Sequence, residues 1–172
     1  MNYKKLGLTD MSVSTLGFGS SCFNNFFKDS NFDFSAESLE NVRQIINKAF
    51  ELGINYFDTA PWYNNAQKLL AVGLKGHERS SYYLATKVGR YNSDKEPQHW
   101  FDFSYARTVA SVEESLKIFD CDYIDLIQVH DFEFATDLDI IVNETLPALD
   151  DLKKQGKLKY IGINSYSIEK LK

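Results

Sequence analysis

Cysteine, proline and histidine are all scarce: two, three and three residues in a chain of 172. Cys22 and Cys121 lie far apart and fit no metal-ligand spacing. That argues against a disulfide framework or a zinc module, and a reduced, cytoplasmic protein is the expectation. No apolar run approaches the ~18 residues of a membrane span. The opening "MNYKKLGLTD" lacks the apolar core of a signal peptide. There is no low-complexity segment and no long linker. No stripe of Lys and Arg breaks a chain with 19 basic and 24 acidic residues, formal charge −5. Neither nucleic acid nor a membrane is therefore expected as a partner. What remains is 44% hydrophobic and 25% charged, the composition of one globular domain with a sizeable core over residues 1–172.

Short apolar runs alternate with helical patterns. "NYKKLG" and "SVSTLGFG" flank the turn-like "LTD" and predict an opening hairpin. "SLENVRQIINKAFELG" repeats apolar residues at Leu39, Val42, Ile46 and Ala49, a helical spacing, with Gly53 suited to the position after its end. "INYF" reads as a strand and "QKLLAVGLKG" as a short helix. "YYLATKV" is the next strand. "SYARTVASVEESLKIFD" predicts a helix capped by Ser104, with Val109, Val112, Leu116 and Phe119 on one face. "YIDLIQVH" is a strand. "NETLPALDDLKKQGK" is a helix if Asn143 caps it, placing Pro147 near its first turn and Gly156 at its stop. "LKYIGIN" is a strand, and "SIEKLK" starts another helix.

Strand and helix in alternation, joined shortly, predict parallel βαβ units. Counting "TLGFG", five parallel strands are expected, apolar enough to be covered on both faces. A doubly wound sheet and a (β/α)8 barrel compete. "GFGSSC" has two glycines of the dinucleotide fingerprint G-x-G-x-x-G and lacks the third. A complete barrel takes about 250 residues.

In both architectures ligands bind at the C-terminal ends of the strands. Asp58 ends "INYF", Lys87 ends "YYLAT", His130 ends "YIDLIQV", and Asn164 and Ser165 end "LKYIGI". Tyr63 lies in the loop after Asp58. Singly, each has a plain reading: a turn or cap for Asp58 and Asn164–Ser165, a solvated strand end for Lys87, a structural imidazole for His130. Together, at the same end of successive strands, they point to a site. A phenol ordinarily loses its proton near pH 10, and a nearby ammonium favours the phenolate. A carboxylate beside the lysine keeps it charged and fixed, and a histidine can orient a carbonyl. The expectation is a tyrosine general acid whose pKa is lowered by Lys87. His77 and His99 show no ligand spacing, so no metal is expected, and no G-x-S-x-G elbow suggests a serine hydrolase.

The stretches "LGFGSS", "GINYFDTAPWY", "YYLATKVGRY", "YIDLIQVHD" and "KLKYIGINS" together resemble the aldo-keto reductase family, from end to end of the chain. "ATKVGRY", "VHDFEF" and "ETLPALDDLKKQGK" are most similar to its L-galactose dehydrogenase and aldose 1-dehydrogenase branch. The resemblance implies the N-terminal part, about five βα units, of a (β/α)8 barrel with an N-terminal β-hairpin. It implies NADP or NAD bound without a dinucleotide fingerprint, and a small carbonyl compound or sugar as substrate. It implies a catalytic tetrad of Asp58, Tyr63, Lys87 and His130, with Tyr63 as acid in reduction and base in oxidation. Cofactor contacts would fall on Gly19, Ser20, Ser21, Asp58, Asn164 and Ser165. Trp62, Tyr91, Trp100 and Phe132 would wall the pocket. Two places depart from the family pattern: its Ser-Asn pair reads Asn164–Ser165, and after Tyr63 its usual glycine and Ser-Glu pair read Asn64 and Ala66–Gln67. Family members run longer, so a truncated chain lacking strands six to eight is expected. Such a chain is either an oxidoreductase, a non-enzymatic binding subunit on the same scaffold, or an inactive product.

Overall fold

In the computed structural model, which describes residues 1–23, 34–91 and 100–172, an antiparallel hairpin opens the chain. Its strands are β1 (Tyr3–Lys5) and β2 (Ser12–Ser14). Five parallel strands follow: β3 (Phe18–Gly19), β4 (Tyr56–Asp58), β5 (Tyr83–Val88), β6 (Ile124–Val129) and β7 (Leu158–Ile163). Between them run α1 (Ala36–Glu51), α2 (Ala66–Leu74), α3 (Tyr105–Phe119) and α4 (Leu146–Lys154). His99 falls outside the described residues.

The sheet order is β3-β4-β5-β6-β7, the order of the chain itself. A doubly wound sheet reverses direction at a switch point. This sheet never does, and crossovers of one hand put all the helices on one face. The arrangement is that of a barrel wall. Consecutive helices touch, α1 with α2, α2 with α3 and α3 with α4.

The period of two along each strand separates two apolar layers. Phe57, Leu84, Ile127 and Val129 face the helices, packed with Ile46, Leu70, Val112 and Leu149. Tyr56, Tyr83, Ala85, Leu126 and Tyr160 take the other face, where Met11 of the hairpin is buried among them. The hairpin is fastened there by side chains of the sheet. The Asp10 N–H donates to the Tyr160 hydroxyl at 3.0 Å and the Ser12 N–H to the Tyr83 hydroxyl at 3.1 Å. Ser14 and Asn55 exchange bonds of 2.7 and 3.1 Å.

Local signals set the helix ends. Ser35 caps α1 and Ser104 caps α3, each hydroxyl accepting a backbone N–H at 3.3 Å. Gly53 (φ +82) and Gly156 (φ +77) follow α1 and α4 in the left-handed conformation. One cap is not where the sequence puts it. Asn143 lies inside a π-helical turn, Ile141–Thr145, that runs straight into α4. Thr145 occupies the boundary and spends its hydroxyl on the Phe103 carbonyl, and Pro147 still falls in the first turn of α4. "SIEKLK" forms a single turn in which Ser167 accepts the N–H of Lys170. Among the described residues, no helix is long and apolar enough to cross a membrane.

Candidate active site

Parallel register brings the strand ends level. Gly19 pairs with Asp58, Asp58 with Ala85, and Lys87 with Gln128. The ladder continues one step further: Thr59 N–H to the Ala85 carbonyl, His130 N–H to Val88, Asn164 N–H to Val129, at 2.8–3.0 Å. Asp58, Lys87, His130 and Asn164 share one face at one end of the sheet by this register. Tyr63 is brought in by a tight turn. Its N–H donates to the Ala60 carbonyl at 3.0 Å, with Pro61 at the second position, where its fixed φ favours the turn.

The four residues of the expected tetrad are together. Lys87 Nζ is buried and donates to Asp58 Oδ1 at 2.6 Å and to the Thr59 carbonyl at 2.8 Å. Nζ also lies 5.0 Å from the centre of the Tyr63 ring. The Tyr63 and His130 rings meet edge to face, centroids 5.8 Å apart. His130 is buried, and its Nδ1 has no hydrogen-bond partner among the described residues.

The electrostatics differ from the expectation of a lowered phenol pKa. Tyr63 is pushed up to about 12 by burial, then by the charges of Asp58, Asp131 and Tyr166, against the opposing pull of Arg90. The ammonium that was to lower it sits over the ring and is spent on Asp58 and a carbonyl. Burial also raises Asp58 above the usual carboxylate range, outweighing Lys87. His130 is lowered to about 3, by burial first and then by Lys87 and Arg90, so its imidazole is neutral at physiological pH.

Gly19 is exposed at the end of β3, and open space lies where a side chain would project. Ser20 is fully buried with no partner for its hydroxyl among the described residues, and Ser21 is half-buried on the same short turn. Asn164 Oδ1 accepts the Asp131 N–H at 2.7 Å, and Ser165 accepts the Ser167 N–H at 2.8 Å. The expected pocket walls divide. Trp62 and Trp100 pack together, centroids 4.6 Å apart. Trp100 also lines a cleft of about 590 Å³ with Arg90, Phe101 and Phe134. Tyr91 and Phe132 are both buried. Tyr91 is buried with its hydroxyl on the Gly89 N–H at 2.9 Å and its ring under Arg107. Phe132 is buried in the helix-side core. Gln67, where the family pattern has an acid, is a buried strut joining Thr86 and Ser115 at 2.9 Å each.

Two charged residues were missed in the sequence. Arg90 and Asp131 pair with one another beside the tetrad. Arg90 lies two residues past the end of β5 and Asp131 two past the end of β6, near Lys87 and His130, so a search of the strand ends widened by a residue or two finds them.

The sequence profile of the Aldo/keto reductase family matches residues 15–172. The chain belongs to that family. It is 41% identical over 170 residues to L-galactose dehydrogenase of Arabidopsis thaliana, covering 96% of this chain and 49% of that protein. It is 34% identical over 164 residues to D-arabinose 1-dehydrogenase of Saccharomyces cerevisiae, covering 92% and 44%. The holo form of an aldo-keto reductase from Bacillus halodurans superposes with a TM-score of 0.80 at 35% identity, covering 99% of this chain and 52% of that one. The chain therefore spans about half the length of the curated relatives it matches.

Proposed function

We propose that this aldo-keto reductase chain carries the catalytic half of an NAD(P)-dependent oxidoreductase that interconverts a carbonyl with an alcohol or lactol on an aldose or small aldehyde. The observation that carries the reading is the cluster itself: a buried Lys87 fixed by Asp58 at 2.6 Å, with Tyr63 over its Nζ and His130 against the Tyr63 ring. The aldose is suggested by the names of the relatives, two of them sugar dehydrogenases.

The residues at the sheet end suit a nicotinamide nucleotide. The unpartnered Ser20 hydroxyl and the open space above Gly19 would receive its phosphates beside Ser21. Asn164, with Oδ1 engaged, offers its Nδ2 as a donor to a carboxamide oxygen, with Ser165 alongside. When bound, the nicotinamide supplies or accepts the hydride. This chain's part is the proton. Tyr63 stays protonated at neutral pH, so it holds a proton for the oxygen of a carbonyl under reduction. Lys87, held by Asp58, lies where its charge steadies the phenolate that remains. Neutral His130 offers an imidazole N–H to orient that carbonyl. The reading places the protein in the reducing cytoplasm, in keeping with two unpaired cysteines.

The test is NADPH titration of the chain, followed by turnover of L-galactose and D-arabinose with NADP and with NAD. Tyr63→Phe is expected to keep nucleotide binding and to lose about 10²–10⁴-fold in turnover. Unchanged turnover in that variant would end the tyrosine mechanism, and a wild-type chain that binds neither nucleotide would end the oxidoreductase reading for this polypeptide.

A further inference from the structure

Arg90 is placed between two aromatic faces. Its guanidinium carbon lies 4.1 Å from the centre of the Trp62 ring and 5.3 Å from that of Phe101. Nη1 pairs with Asp131 Oδ2, and the two side chains are only 17% and 5% exposed. The pair is thus largely out of water, where losing one partner strands the other's charge. Asp131 itself is in the left-handed conformation (φ 51), which aspartate adopts more readily than most residues with a side chain. The bond that holds it there comes from Asn164, whose Oδ1 takes the Asp131 N–H at 2.7 Å. The contacts form one unbroken line, Asn164 to Asp131 to Arg90 to Trp62. It starts at the end of β7, passes the loops after β6 and β5, and finishes on the loop after β4, next to Tyr63.

We propose that Arg90 is a positioning residue that, through Asp131, couples Asn164 to Trp62, so that nucleotide held at the end of β7 sets the placement of the indole beside the general acid. The consequence for nucleotide rests on the oxidoreductase reading above; the mechanical coupling does not. A planar guanidinium is needed for it. It stacks on the indole and at the same time reaches the carboxylate, which a lysine ammonium does only as a point charge. Two joints in the line are hydrogen bonds shielded from water and the third is the guanidinium stack, so a break at one end is transmitted as a loss of placement at the other.

The chain has only two tryptophans, Trp62 and Trp100, which makes the inference measurable. In a Trp100→Phe background, emission reports Trp62 alone. Acrylamide quenching of that emission is compared with no ligand and with saturating NADPH. Arg90→Met, Asp131→Asn and Asn164→Ala are each expected to raise the quenching constant about twofold or more, although Asn164 does not touch Trp62. Arg90→Lys, which keeps the charge and loses the planar stack, is expected between wild type and Arg90→Met. NADPH is expected to protect Trp62 in the parent and not in Asp131→Asn. If Asp131→Asn and Asn164→Ala quench like the parent, or if NADPH protects Asp131→Asn in full, the coupling is refuted and Arg90 is only a neighbour of Trp62. Circular dichroism checks each variant's fold, and Asn164→Ser replaces Asn164→Ala under the same criterion where the alanine unfolds. Should the parent fail to bind NADPH, the functional reading falls, and the ligand-free quenching still decides the coupling.

Discussion

Lys87 Nζ stands 2.6 Å from Asp58 Oδ1, and the two partners of this ion pair are unequally buried, at 4% and 28% side-chain exposure. Removing the carboxylate strands a fully enclosed ammonium, whereas removing the ammonium leaves a carboxylate that water still reaches. Asp58→Ala is therefore expected to cost about 3 kcal/mol of unfolding free energy and Lys87→Met about half that. Urea denaturation of both variants measures the order, and the reverse order would show that the desolvation of Lys87 is not what matters.

The Tyr63 phenol, raised to about 12 by burial, loses its proton at higher pH in the folded chain than in the unfolded one. Between about pH 10 and 12 the native state holds a proton that the unfolded chain has given up, so stability contributed by this group falls as pH rises through that range. Spectrophotometric titration of wild type minus Tyr63→Phe is expected to show a single phenolate step near pH 12. A step at or below pH 10 would restore the sequence-based expectation that Lys87 lowers this pKa.

His130 gives the opposite slope at the acid end. Its folded pKa is depressed to about 3, while an unfolded histidine titrates near 6.5. Its stabilising contribution is full above pH 6.5 and declines as pH falls toward 3, by up to about 1.4 kcal/mol per pH unit. Asp58 and Asp131, both raised, bind protons in the folded state and offset part of that loss. Melting temperatures from pH 4 to 7 are expected to fall less steeply with acid in His130→Gln than in wild type, and parallel curves would place the acid lability elsewhere.

Gly73 meets Ile46 where α2 crosses α1. A side chain built on Gly73 would come within 2.4 Å of Ile46 Cγ1. Gly73→Ala is expected to cost about 2 kcal/mol through overpacking despite alanine's better helix propensity. Ile46→Ala, which removes Cγ1, is expected to cost about 3 kcal/mol alone. A double variant as stable as Ile46→Ala alone would reveal the shared space, and strict additivity would mean that α1 and α2 simply move apart.

Most of the architecture was legible because its signals are local and periodic. Val42, Ile46 and Ala49 are buried on α1 as their spacing predicts, and Ser104 caps α3. The strand-end rule collected Asp58, Lys87, His130 and Asn164 because parallel register is a property of backbones. What resisted was whatever depends on three dimensions. The buried face of α3 is partly hydroxylic, with Thr108, Ser111 and Ser115 beside Val112 and Leu116, and no apolar count finds that. Tyr91 and Phe132 were expected on the pocket wall since aromatic loop residues look alike in sequence, whether they face a ligand or the core. Asp125, which interrupts an otherwise apolar strand, is a buried anchor for Arg79 and Lys159 at 2.5 and 3.0 Å, and its partners lie in other elements. The sign of the Tyr63 shift failed for the same reason. The pairing of Lys87 with Tyr63 was foreseen, and the burial that outweighs it was not.

The hairpin fastened under the sheet carries a consequence for how the protein is made. Residues 3–14 leave the ribosome well before β7, and the bond from Asp10 to Tyr160 spans 150 positions. Until β7 is synthesised, the opening strands lack that anchor, and loop closure on this scale is a slow, entropy-limited event. The hairpin is thus an early product and a late arrival, its seat incomplete until the stretch from Asp10 to Tyr160 has been translated.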